Sequence, residues 1–214
     1  MQRSIDIFLS FFALVILAPV FIFVGIALRL TGEGKIFYRQ NRVGLRGETF
    51  KLIKFATMLE NSPNIGARTL TLKNDPRVLP LGRILRKTKI NELPQILNVL
   101  IGDMAIVGPR PLVIEGELVY SPEVREKIRS VRPGLTGLGS LLLRDEEALY
   151  GERQDAHQFY VNSIQPFKAK IELWYIENHT LILDLKIIIL TALVIVFPNF
   201  NVSNYLGISV KLED

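Results

Sequence analysis

The chain has 214 residues, with 26 Lys and Arg against 21 Asp and Glu, 49% hydrophobic and 22% charged residues, and no cysteine. That length fits one domain with at most a small appendage, and a mean hydropathy of +0.27 excludes a disordered or acidic-tail protein, which lacks the apolar area that ordering requires. Without cysteine there is no disulfide framework, thiolate metal site or cysteine nucleophile.

Residues Ile7 to Leu28 form an uncharged apolar run of about 22 residues, with Pro19 near its middle. As a straight helix it would extend roughly 33 Å, enough to cross a bilayer core. It is longer than a signal-peptide core, and Arg29, Lys35, Arg39 and Arg42 follow it in place of a cleavage site. Arg3 and the α-amino group precede it, so the positive-inside tendency holds both ends on the cytosolic side. Pro19 removes a backbone donor and crowds the preceding turn, which marks where the helix would kink and turn back. A re-entrant membrane anchor over residues 1–30 is therefore expected, with a single crossing as the alternative.

Arg42 to Gly47 is a turn-rich stretch flanked by short apolar pieces that read as a β-hairpin, with Phe50 to Phe55 as a second short strand. Val78 to Lys87 and Leu93 to Ile101 read as amphipathic helices, the latter with Pro94 early, where a helix tolerates it. Further helices are expected in Pro122 to Ser130 and in Ala156 to Asn178. Leu181 to Phe197 is apolar but carries Asp184 and Lys186, which leaves about 11 residues before Pro198, too few to span a membrane. It reads as a core helix or one at the bilayer interface, with Trp174 and Tyr175 as candidate interfacial anchors. The expected fold is α+β and predominantly helical: a compact soluble domain with a small β-hairpin element, an N-terminal re-entrant membrane helix and interfacial helices.

Charge is unevenly distributed. Arg29 to Lys89 carries 14 Lys and Arg against four acids, a net +10, whereas Ile90 to Asp214 carries 11 against 16, a net −5. The first half therefore calls for an anionic partner. Its densest constellation runs on to Pro111, with Arg77, Arg83, Arg86, Lys87 and Lys89 just before Glu92, and Asp103 and Arg110 just after. Phosphoryl transfer asks for this mixture, cations to neutralise phosphate oxygens and carboxylates to hold Mg²⁺ or attack phosphorus. A helix beginning near Asn91 would add free N–H groups for an anion, and the forks of Arg86 and Arg110 suit two phosphate oxygens at once. Taken singly, the same residues also fit a structural role: Asn91 as a helix cap, the arginines as a solvated or lipid-facing surface. His157 and His179 show no metal-ligand spacing, there is no Gly-x-Ser-x-Gly elbow, and without a DNA or RNA motif no nucleic-acid partner is expected.

A run of short ordered motifs adds to this reading: Tyr38-Arg39-Gln40, Arg42-Val43-Gly44, Lys54-Phe55, Asp75-Pro76-Arg77, Leu85-Arg86, Glu92-Leu93-Pro94-Gln95, Asn98-Val99-Leu100, Gly102-Asp103-Met104, Val107-Gly108-Pro109-Arg110-Pro111, Arg132-Pro133-Gly134-Leu135-Thr136-Gly137 and Asp184-Leu185-Lys186-Ile187. Through them nearly the whole chain resembles the bacterial sugar transferases, the monotopic phosphoglycosyl transferases. The resemblance implies a re-entrant helix broken at Ala18-Pro19 and a catalytic domain over residues 31–214. It also implies transfer of a sugar 1-phosphate from a nucleoside diphosphate sugar, usually a uridine one, to polyprenyl phosphate. Membrane lipids are then partners, Mg²⁺ assists, and the setting is the cytosolic face of the bacterial inner membrane; a homo-oligomer is compatible with the sequence.

In that family an Asp-Glu dyad is catalytic and its Asp attacks phosphorus to form a covalent phosphosugar-enzyme. Carried over by position, Lys54, Arg86 and Arg110 look like the cationic ligands, with Arg77 and Glu172 completing the substrate-binding set, and Glu92 matches the dyad's Glu and is the candidate metal ligand. Asn91 stands where the nucleophilic Asp belongs, and a carboxamide has no anionic oxygen for attack. Further departures are Ala56 after Lys-Phe and Leu138-Gly139-Ser140-Leu141, where better-known members carry Trp-Ala-Gln. Three arrangements fit Asn91: Glu92 is the nucleophile of a variant branch, the chain is an inactive or engineered form, or a carboxylate among Asp145, Glu146 and Glu147 substitutes. The adopted reading is Glu92; the rival function is a non-catalytic membrane scaffold of the same fold.

Overall fold

The computed structural model describes residues 2–62, 75–144 and 155–206. Helix α1, Gln2–Leu30, is followed by the hairpin of β1, Phe37–Val43, and β2, Thr49–Phe55. Next come α2, Pro80–Lys87, a 3-10 turn at Ile90–Glu92, α3, Gln95–Ile101, and β3, Ala105–Val107. The chain continues through α4, Ile114–Glu117, α5, Pro122–Arg129, β4, Gly134–Thr136, and α6, Leu138–Leu142. It closes with α7, Ala156–Phe159, α8, Gln165–Glu177, α9, Leu181–Val196, and α10, Ser203–Leu206. The expected helical domain with a small hairpin is what forms. The acidic stretch Asp145 to Glu147 lies outside the described residues.

Helix α1 is long and apolar enough to cross a membrane, by length and composition. It is helical on both sides of Pro19, since an interior proline removes one hydrogen bond while its neighbours continue the ladder. Only Asp6, Ser10, Val24, Gly25 and Leu28 are buried in it, near its two ends. At the N-terminal end Arg3 donates to the carbonyls of Val99 and Leu100, at 2.6 and 2.9 Å. The backbone N–H of Ile106 donates to Asp6 Oδ1 at 3.2 Å. At the other end Val24 and Leu28 pack with Phe55 of β2 and Leu85 of α2. Between them Phe11, Phe12, Val15, Ile16, Ile22 and Phe23 are exposed.

The hairpin pairs Phe37 with Phe55 and Val43 with Thr49 in antiparallel register, its turn closed by Arg46 and Gly47 at positive φ. A parallel pair of β3 and β4, which the sequence reading does not contain, matches Ala105 with Gly134 and Val107 with Thr136. It depends on bare backbone: a Cβ at Gly134 would fall 2.1 Å from Gly108 N, and one at Gly137 would fall 2.1 Å from Gly108 O. The main core lies beside this pair, where Val107, Leu138, Leu141, Ile171, Tyr175, Ile187, Leu190 and Val194 are buried together.

Helix α9 answers both readings of Leu181 to Phe197. One face is core, with Ile187, Leu190 and Val194 at most 5% exposed, and the other leaves Ile182, Ile189, Ile195 and Val196 open. Tyr175 is not an interfacial anchor: it is buried, and its hydroxyl donates to Asp184 Oδ1 at 2.8 Å. Trp174 packs partly buried against the main core.

Gly137→Ala should lower stability by about 1–3 kcal/mol, since the added methyl must push two strands apart. A thermal midpoint equal to that of the parent protein would contradict the close approach of β3 and β4.

Candidate active site

Three separate elements bring charged side chains to one point. Lys54 lies near the end of β2 opposite Tyr38, with its neighbours Leu52 and Phe55 buried in two apolar clusters. Glu92 closes the 3-10 turn after α2, and Arg110 follows β3. Lys54 Nζ is 3.2 Å from Glu92 Oε1, and Arg110 Nη2 is 2.8 Å from the same oxygen, with its Nη1 3.5 Å from Oε2. The Lys54 and Glu92 side chains are 17% and 18% exposed, so the pair is largely shielded from water yet still reachable.

Burial alone would raise the Glu92 pKa. The charges of Arg110 and Lys54, the Arg110 hydrogen bond and the more distant Lys89 overcome it, and the carboxyl sits well below the usual carboxylate range. Burial pushes the Lys54 ammonium down to about 8, with Arg110 and Arg42 adding to the fall and Glu92 opposing it. Burial likewise lowers Arg42 to about 10, helped by Arg110. Arg42, absent from the site residues read in the sequence, thus belongs to this group. It donates to Pro111 O at 3.1 Å and to Gln40 Oε1 at 2.6 Å, and its buried Nε has no hydrogen-bond partner among the described residues. The signal for it lay in Arg42-Val43-Gly44, where its position on the hairpin edge was not readable.

Asn91 is 6% exposed, and its Oδ1 is buried without a hydrogen-bond partner among the described residues. The anion site expected from free N–H groups after Asn91 does not form. Those groups are used within the turn, Glu92 N donating to Lys89 O and Leu93 N to Ile90 O, because α3 starts only at Gln95.

Glu172, on α8, stands behind Arg110: its Oε1 accepts from the Arg110 backbone N–H at 3.3 Å, while its Oε2 is buried and unpartnered among the described residues. Burial raises its pKa to about 7, only partly offset by that hydrogen bond and by the charges of Lys168 and Arg110. Gly139 makes the room, since a Cβ there would fall 2.5 Å from Glu172 Oε1.

Arg86 and Arg77 are not part of this group of contacts. Arg86 meets Met58 Sδ at 3.8 Å. Arg77 is 3% exposed, and its guanidinium donates to both Asp75 oxygens and to Ser62 O. His179 bonds to Asp184 at 3.0 Å, a structural contact as its sequence setting suggested. Among the described residues no group of three or more His, Asp or Glu gathers to hold a metal unaided.

The family model of the bacterial sugar transferases matches residues 1–198. The chain is 34% identical over 198 residues to an exopolysaccharide production protein, PSS, of Rhizobium leguminosarum bv. phaseoli, covering 88% of this chain and 91% of that one. It is 34% identical over 197 residues to a UDP-glucose:undecaprenyl-phosphate glucose-1-phosphate transferase of Klebsiella pneumoniae, covering 89% of this chain and 39% of that one. Against an undecaprenyl-phosphate galactose phosphotransferase of Salmonella typhimurium it is 34% identical over 209 residues, covering 91% of this chain and 40% of that one. The chain belongs to the bacterial sugar transferase family. As a member it is a phosphotransferase, spanning most of its shorter relatives and about two fifths of the two longer ones.

The raised Glu172 pKa makes a pH prediction with a definite sign. The folded carboxyl stays protonated to about pH 7 while the unfolded one ionises near 4.5, so stability should fall as pH rises through that window and level off above it. The Glu172 contribution is on the order of 3 kcal/mol. In Glu172→Gln that slope of thermal midpoint against pH should disappear; an unchanged slope would place the titrating group elsewhere.

Proposed function

We propose that this protein transfers a sugar 1-phosphate from a uridine diphosphate sugar to polyprenyl phosphate at the cytosolic face of the bacterial inner membrane. The products are a polyprenyl diphosphate-linked sugar and uridine monophosphate. The names of the Klebsiella and Salmonella relatives support the substrate pair. The observation that carries the reading is a single ionised carboxylate, Glu92, set among the positive charges of Lys54, Arg110 and Arg42.

In this reading a Glu92 carboxylate oxygen attacks the phosphorus that bears the sugar. The bond from that phosphorus to the bridging diphosphate oxygen breaks, and its electron pair leaves with the nucleoside monophosphate. An acyl phosphate ester of Glu92 remains. An oxygen of polyprenyl phosphate then attacks the same phosphorus, and Glu92 departs as a carboxylate. Lys54, Arg42 and Arg110 take up phosphate charge as it shifts between oxygens, in a setting where fixed charges need no reorganisation. Arg110 is freed to do so because its backbone is held independently by Glu172. Arg86, at the end of α2, is the remaining candidate for the diphosphate.

Mg²⁺ fits the same place through Glu92 and Asn91. The buried Asn91 Oδ1, without a hydrogen-bond partner among the described residues and one position before Glu92, suits a cation that takes most of its other ligands from phosphate and water. When bound, the ion neutralises diphosphate charge. Helix α1 is read as a re-entrant anchor, supported by the docking of both its ends on one body with an exposed apolar middle.

Incubated with donor alone, the protein should gain the mass of one sugar phosphate, and Glu92→Gln should gain none and lose turnover by on the order of 10³-fold or more. An adduct that persists in Glu92→Gln removes Glu92 as nucleophile and points to Asp145–Glu147. Neither adduct nor nucleoside monophosphate release across a panel of nucleotide sugars would leave the non-catalytic scaffold as the reading.

A further inference from the structure

Lys89 is the residue at which α2 gives way to the turn carrying Glu92. Its backbone is left-handed, with φ 59° and ψ 8°, a region that the Cβ of an L-residue disfavours. The conformation is imposed from both sides. The Lys89 N–H donates to Arg86 O at 3.1 Å and its carbonyl accepts from Glu92 N at 3.0 Å, so one residue must both end a helix and start a turn. Glycine would take this conformation without strain. A lysine here retains the strain and adds a charge, the kind of cost that is kept at functional sites.

That charge is available. The Lys89 side chain is half-buried and makes no hydrogen bond or ion pair with the described residues. Its charge adds to those of Arg110 and Lys54 in holding the Glu92 carboxyl ionised. The residue that follows it joins an apolar cluster. Ile90 packs against the cluster of Phe55 and Leu85 with Val24 and Leu28 of α1. Ile84, whose carbonyl accepts from Thr88 Oγ1, is 61% exposed. Lys89 thus acts on Glu92 by its charge and is followed by Ile90, which packs on the end of α1 where Ile22, Phe23 and Ile26 are exposed. A ligand with a phosphate at one end and hydrocarbon at the other matches that order.

We propose that Lys89 binds the phosphate of the lipid acceptor and sets it beside Glu92. This deepens the transferase reading and rests on it for the identity of the ligand. Two variants separate backbone from charge: Lys89→Gly keeps the left-handed conformation and removes the ammonium, whereas Lys89→Arg keeps a cation. Each is measured in detergent micelles for binding of a short-chain polyprenyl phosphate and of the matching polyprenol, and for the KM of each substrate.

Lys89→Gly should melt about 2–4 °C higher, as the strain is relieved, yet bind the phosphate lipid about tenfold more weakly. Its polyprenol binding should match the parent protein, its KM should rise more for polyprenyl phosphate than for the nucleotide sugar, and Lys89→Arg should recover most of the lost affinity. Unchanged binding of polyprenyl phosphate by Lys89→Gly overturns the proposal, as does a rise confined to the donor KM. The binding measurement needs no turnover. Parent protein that selects the phosphate lipid over the alcohol but releases no nucleoside monophosphate would therefore refute the transferase reading and leave the role of Lys89 standing.

Discussion

A carboxylate largely withdrawn from water is costly unless cations come with it, and Glu92 receives two of them from distant parts of the chain. Lys54 arrives on a hairpin, Arg110 on the loop leaving a parallel strand pair, and Glu92 itself on a turn one residue after a strained backbone position. None of these elements could shift by much without leaving a charge unpaired in a low-dielectric setting. The bare-backbone approach of Gly108, Gly134 and Gly137, the cap that Glu172 places on the Arg110 backbone and the space at Gly139 all serve to hold that meeting point. Positive charge still exceeds negative around Glu92, since Arg42 and Lys89 also act on it or on its partners. An excess of fixed cations around one anionic oxygen is an arrangement prepared for a phosphate-rich ligand.

The apolar helix is joined to the same meeting point through α3. Arg3 satisfies the carbonyls of Val99 and Leu100, which the end of α3 would otherwise leave without intrahelical partners. The opposite end of α3 begins three residues after Glu92. On its other flank α1 packs Val24 and Leu28 against Phe55, the residue after Lys54. Both ends of α1 therefore support strands or turns that carry charges of the site, while the apolar middle of the helix faces outward. The outward-facing apolar middle of α1 and the geometry of the charged group are thus held by the same contacts.

Much of this was legible in the residues themselves. The apolar run and its flanking charges identified α1, hairpin chemistry around Gly44 and Gly47 gave β1 and β2, and helical spacing located α2, α3 and α9. Phosphate chemistry singled out the charged stretch from Arg77 to Arg110, and the resemblance to the sugar transferases named Lys54, Arg86, Glu92 and Arg110 as a set. The burial of Arg77 was not readable, since a basic residue beside other basic residues looks alike whether it faces solvent or, as here, is buried against the Asp75 two positions before it. Tyr175 failed for a similar reason: an aromatic next to an apolar helix fits an interface until its hydroxyl is found on a buried Asp184.

What the sequence by itself determined is local: periodicity, turn residues, the lengths of apolar runs and the kinds of charge available, all properties of neighbours along the chain. Only the tertiary structure decided which charges meet. Glu92 touches residues 38 positions before it and 18 after it, Glu172 reaches the backbone of a residue 62 positions away, and the three-residue strands β3 and β4 are too short to show any period. Pairing of that kind depends on burial, which removes water as the competing partner and so selects the few ion pairs and close backbone contacts that the packed chain can keep.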